Sequence, residues 1–166
     1  MTGMVAYIGI PAIVVKQPIG SFFVGTIEAC RLRRLAWTDT RRISGIDELE
    51  LYTGIQRIRS KERVAEINKY ISTVNATFLN SVILNINPDA DLLRITTFNG
   101  DELNLDMLSA GDRVNLHVAD KQDVSKIIDG QHRLAGFDNQ NFKEFHLIIA
   151  ILSACRWRIK HLCFPL

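Results

Sequence analysis

Short runs of β-branched and aromatic residues, each closed by a turn signal, dominate this chain and leave little room for helix. Met4 to Ile10 and Ile13 to Lys16 are apolar runs separated by Pro11, and Pro18-Ile19-Gly20 is a turn. Ser21 to Ile27 follows as a strand that pairs back on its predecessor. Further strands are predicted over Ser81 to Ile86, Leu92 to Phe98, Arg113 to Val118, Val124 to Ile128 and Phe145 to Ile151. Asn87-Pro88-Asp89 and Asn99-Gly100 punctuate them. One stretch has a clear helical period: Val64, Ile67, Tyr70, Ile71 and Val74 recur at helix spacing. Ser60 is its N-cap, Glu62 lies in its first turn, and the helix is placed at 61–74. Ala29 to Ala36 reads as a short helix, Asp47 to Tyr52 as a helical turn, and Gln131 to Phe137 as helical. The pattern predicts an α+β fold in which non-local strand pairing surrounds one or two helices.

Size and composition narrow the class. A chain of 166 residues with 47% hydrophobic and 23% charged residues suits one globular domain and excludes disorder. Three cysteines, an odd number, argue against a disulfide framework and for a reducing, cytoplasmic setting. The longest apolar run, Leu147 to Leu152, has six residues, far short of the ~20 a membrane span needs. Charge is segregated. Residues 31–63 carry nine Lys or Arg against five acids, residues 64–149 seven against twelve, and residues 150–166 three against none. Arg31, Arg33, Arg34, Arg41 and Arg42 could track a DNA backbone, or form a solvated basic face offset by Asp47, Glu48 and Glu50.

The sharpest local feature is Asp129-Gly130-Gln131-His132-Arg133, where a buried strand ends and a helical turn begins. Gly130 permits close backbone approach, and Arg133 offers a planar fork suited to phosphate. The same residues equally fit a plainer arrangement, with Asp129 capping the helix and Arg133 paired to it or to another acid. His132 could act as an acid or base, but no partner nucleophile is evident, so a hydrogen-bonding place in the turn is favoured. One carboxylate at Asp129 does not make a metal site, and His117, His146 and His161 have no ligand spacing with the cysteines.

The string Asp129 to Arg133 resembles the signature of DGQHR-domain proteins of the DndB-like family. Gln17, Phe22 to Gly25, Ile27 to Ala29, Gly54-Ile55-Gln56-Arg57, and Thr77-Phe78 before the strand at Ser81 follow that family's order. The resemblance runs from about residue 5 to about residue 150. It implies a bacterial DNA-modification (phosphorothioation) or defence protein that binds DNA or nucleotide phosphate and acts in transcription regulation. Asp129, Gly130, Gln131, His132, Arg133, Gln56 and Arg57 would form the binding site, and other DNA-modification proteins would be partners. The family in turn resembles the ParB and sulfiredoxin superfamily, which implies a mixed sheet whose late strand enters a Gly-x-x-Arg phosphate turn. That relation leaves room for a nucleotide with Mg²⁺, and for a nucleotide hydrolase or nuclease using His132 or Asp129; binding without catalysis is the leading expectation. Gln131 stands where sulfiredoxin-like proteins carry a nucleophilic cysteine, which excludes thiolate chemistry at this position. The second arginine of the ParB-like turn is missing after Arg133-Leu134.

The resemblance divides the chain into a β-rich segment at 1–45, the DGQHR core at 46–151 and an atypical tail at 152–166. The tail holds two of the three cysteines and matches nothing in the family. It is expected to reflect a truncation or a shift of reading frame near Ile151, which would leave an inactive remnant.

Overall fold

The structure, a computed structural model, describes residues 5–18, 20–38, 60–73, 75–89, 91–137 and 145–153. Alternating burial builds the first strand, β1 (Tyr7–Gln17): Ile8, Ile10, Ala12 and Val14 face inward while Gly9, Pro11 and Ile13 face outward. Pro11, expected to separate two runs, lies inside this strand. Val14 exchanges hydrogen bonds with the segment before β6 (Arg113–Ala119), so even-numbered residues turn their polar backbone toward β6 and odd-numbered ones toward β2 (Gly20–Glu28). The β1–β2 ladder ends at Ala12↔Gly25, so the N–H that proline lacks falls beyond its last rung.

After β2 the chain forms α1 (Ala29–Leu35) and a two-residue strand, β3 (Ala36–Trp37), which had no signal in the sequence. The helix α2 (Lys61–Ile71) stops short of the expected residue 74, with Ser72 as its C-cap. Strands β4 (Val82–Ile86) and β5 (Leu93–Thr96) precede β6, and β7 (Ser125–Asp129) leads into α3 (Gln131–Ala135). The last described strand is β8 (His146–Leu152). The predicted helical turn at Asp47 to Tyr52, Gly54 to Arg57, Arg41, Arg42 and the tail from residue 154 lie outside the described residues.

All eight strands join one mixed sheet in the order β3-β7-β4-β8-β2-β1-β6-β5. Pairings are antiparallel except β3–β7 and β4–β8. The N-terminal hairpin therefore sits in the interior of the sheet, and the strand leading to the Asp-Gly turn sits near one end. A flat sheet would hold β8 and β5, four steps apart, roughly 19 Å from each other at ~4.8 Å per step. Yet Ser153, just after β8, and Leu93 to Ile95 of β5 line one cleft. The sheet is therefore curled, and its concave face closes over the core.

That face supplies Phe23, Ile27, Val82, Leu84, Ile86, Val114, Leu116, Leu147, Ile149 and Ile151. Leu32, Leu35, Ile71, Leu134 and Phe137 join the same cluster from the helical side. Phe137 packs on Phe145 at 5.1 Å between ring centroids, and Phe78 joins both. Ile149 is fully buried in a strand flanked by β2 and β4. Ile149→Ala is expected to cost about 2–5 kcal/mol in urea denaturation. Ile13→Ala, on the half-exposed outer face, should stay within about 0.5 kcal/mol of wild type.

Candidate functional site

The Asp-Gly turn forms because β7 must stop and reverse within one residue. Gly130 adopts φ 95°, the left-handed region where a side chain is strained, and is the N-cap of α3. A Cβ there would also sit 3.1 and 3.2 Å from the Val82 methyls and 3.3 Å from Arg133 Nη2. Asp129 does not cap the helix; no side-chain cap bond is made, and its carboxylate is 71% exposed. That corrects the capping alternative, and the reason is geometric: the positive φ places Gly130, not Asp129, at the cap.

The remaining residues of the string diverge. Arg133 spans the approach to β4. It donates through Nη1 to the Asn80 carbonyl and through Nη2 to the Ser81 carbonyl at 3.0 Å. Asp129 Oδ2 stands 3.6 Å from Nη2. His132 points to α2, where its Nε2 accepts the backbone N–H of Ser60 at 3.3 Å. That geometry places the ring proton on Nδ1. Gln131 is buried and borders a polar cleft of about 100 Å³ with Arg33, Thr38 and Ile127. Arg33 donates to the Phe137 carbonyl at 2.9 Å, which ties α1 to the end of α3. Across α3, Asn68 donates to the Gly136 carbonyl at 2.7 Å. A Cβ on Gly136 would lie 2.4 Å from Ile67 Cγ2, so α2 approaches as closely as it does only over glycine.

Five consecutive residues thus reach β4, α1 and α2 from one turn. Gln56 and Arg57, assigned to the same site from sequence, lie outside the described residues. Among the described residues no three His, Cys, Asp or Glu side chains gather as a metal site. His117 hydrogen-bonds Thr96 at 3.0 Å and serves the β5–β6 pair, as its place on a strand suggested. The sequence flagged Ser60 as a cap, and it is one: its Oγ accepts from the Arg63 N–H at 3.3 Å. It gave no sign that His132 would hold the same residue. Nor could it mark Asn80 and Ser81, because Arg133 uses their backbone carbonyls, which every residue type supplies.

Cationic side chains stand on both helices that pack against α3. Arg31 and Arg34 project from α1, about half exposed, and pair with Glu28 at 3.0 Å and Asp120 at 2.5 Å. Lys61 and Arg63 are exposed in the first turn of α2. Ser60 Oγ also donates to Glu62 at 2.7 Å, and that bond holds the Glu62 carboxyl below the ordinary glutamate range.

Taken together, these features define a mixed α+β protein whose sheet ends in a glycine turn that seats a short helix between two cation-bearing ones. A family model for DndB, described as DNA-sulfur modification-associated, matches residues 10–148. The chain belongs to the DndB family. No curated protein and no solved structure matches it.

Gly130→Ala is expected to destabilise the fold by about 1–3 kcal/mol in chemical denaturation, from the strained φ and the Val82 contacts. Arg133→Lys should lower stability in the same assay, because a single ammonium cannot bridge the Asn80 and Ser81 carbonyls as the guanidinium fork does. Ser60→Ala should raise the Glu62 titration toward the ordinary glutamate range in a carboxyl NMR titration. The sign follows from the depressed value: the contribution of Glu62 is present above the unfolded pKa and is lost as pH falls through the folded one.

Proposed function

We propose that the chain binds DNA and acts as a regulator within a bacterial DNA-sulfur-modification (phosphorothioation) system. The observation that carries this reading is the seating of α3 between α1 and α2, which sets Arg31, Arg34, Lys61 and Arg63 on elements flanking the DGQHR turn. Exposed ion pairs such as Arg31–Glu28 contribute little to stability, so phosphate can compete for the cation at small cost. Arg side chains supply forked donors to phosphate, and contacts of this kind position a duplex without reading its sequence. In this reading Gly130, His132 and Arg133 position the surface, Asp129 and Gln131 border it, and Gln56 and Arg57 belong to it by family resemblance. The same reading takes the fold as ParB/sulfiredoxin-like, supported by a helix before β4 and by a late strand entering Gly-x-x-Arg. Other DNA-modification proteins are its partners.

Fluorescence anisotropy of a labelled duplex, with and without phosphorothioate linkages, tests the proposal. Wild type should bind with log K falling by about 0.9 per phosphate contact for each unit of log salt. Arg31→Glu with Arg34→Glu, or Lys61→Glu with Arg63→Glu, should weaken binding at least about tenfold. Absence of binding, or indifference to both charge reversals, would overturn it. Phosphate release from ATP that Arg133→Ala abolishes, without DNA binding, would assign the turn to hydrolysis instead.

A further inference from the structure

The last strand in the sheet order, β5, carries a second feature. A cleft of about 480 Å³ opens between β5 and the ends of β4 and β8. Its walls include Pro88, Leu93, Ile95, Leu103, Leu105 and Ser153. The volume is in the range of ligand-binding pockets. Ser153 is 2% exposed, and its hydroxyl has no hydrogen-bond partner among the described residues. A buried hydroxyl left unpaired is costly unless something reaches it from the cleft it lines.

The backbone of β5 adds directional hydrogen-bonding capacity. Ala119 N–H donates to the Leu92 carbonyl, which sets the alternation: Arg94 and Thr96 turn their polar backbone toward β6, while Leu93 and Ile95 turn theirs outward. Leu103 N–H takes the outward carbonyl of Ile95, and Thr96 bridges Glu102. Beyond that point the covering segment turns away into a 3-10 turn at Leu105–Met107. The Leu93 carbonyl and the Ile95 N–H thus face the cleft. Leu93 and Ile95 side chains, both buried, form its apolar floor.

Charge then specifies the occupant. Residues 89–106 hold Asp89, Asp91, Asp101, Glu102 and Asp106 against one base, Arg94. Arg94 also lines the cleft, and its guanidinium lies over the Tyr7 ring, 4.9 Å from its centroid. Glu102 lines the cleft, Asp106 follows the lining residue Leu105, and Asp89 follows Pro88. A polyanion such as DNA is repelled here, whereas a basic chain is attracted.

We propose that this cleft docks an extended, basic peptide segment of a partner protein, added as a strand along the outer edge of β5. Alternate apolar side chains enter between Leu93, Ile95 and Leu103, the peptide backbone pairs with Leu93 and Ile95, and a polar group of the peptide reaches the Ser153 hydroxyl. The intervening basic side chains face the acidic rim.

The test is an anisotropy titration of the full chain with a labelled acetylated octapeptide of alternating Lys and Val. A control peptide of equal charge replaces the inner Val residues with Pro, which cannot donate to an edge strand. Saturable binding of the first peptide and none of the second is expected. Glu102→Lys with Asp106→Lys should weaken it at least about tenfold, Ser153→Ala severalfold, and Arg31→Glu with Arg34→Glu not at all. Equal binding of the proline control, indifference to the rim variants, or no saturable binding would overturn the proposal. So would binding that appears only when Arg156, Arg158 and Lys160 are replaced by Glu, because the chain's own residues would then be the occupant.

Discussion

The guanidinium of Arg133 laid across the carbonyls of Asn80 and Ser81 is the contact on which the arrangement around the DGQHR turn depends. It fixes the segment entering β4 against the helix that leaves β7, and β4 and β7 are themselves paired. With the side chain only 18% exposed, those two bonds are also what makes burying the charge tolerable. Gly130 supplies the other half: its left-handed turn brings α3 back over Val82 with no Cβ in the way. Once α3 is fixed, α1 and α2 have something to seat on. Arg33 and Asn68 reach its C-terminal end from opposite helices through the carbonyls of Phe137 and Gly136. His132 adds a contact at the other end, by holding the N-cap of α2.

How much of this was legible follows from what each feature needs. Strands such as β6 and β8 were legible because alternation and turn residues are local properties. Their order was not. Nothing within β1 or β2 announces that they lie between β6 and β8, because the pairing is set by partners about 100 to 130 residues away. Pro11 misled because proline usually ends a strand, and its tolerance depends on where the neighbouring ladder stops. The motif itself was legible as a turn with a glycine and an arginine. The targets of the arginine were not, since backbone carbonyls carry no residue signature. The contact from His132 to Ser60 spans 72 positions and joins two residues that each looked locally complete.

Charge that is segregated along the chain stays on different elements of the fold. The elements with Arg31, Arg34, Lys61 and Arg63 pack on α3 beside β7, near one end of the sheet order. The acids of residues 89–106 fall on the segments that flank β5, the last strand in that order. Arg34 nevertheless reaches Asp120, whose neighbour Ala119 donates to the Leu92 carbonyl just before β5, so the two regions meet at the end of β6.

Local energetics decide which group a phosphate would meet first in the proposed binding. Arg133 has five N–H donors, and two of its nitrogens already serve carbonyls. The exposed Asp129 carboxylate, 3.6 Å from Nη2, stands beside what remains of the fork and opposes an incoming anion. Arg31 and Arg34 are also paired with carboxylates, but on half-exposed side chains that can swing away from them. Moving Arg133 to a phosphate would strip two carbonyls of their donor and loosen the entry to β4; moving Arg31 would cost an exposed ion pair worth ~1 kcal/mol or less. Under the proposed DNA binding, the energetic order favours phosphate capture by the helices that α3 positions, with the turn acting as their foundation.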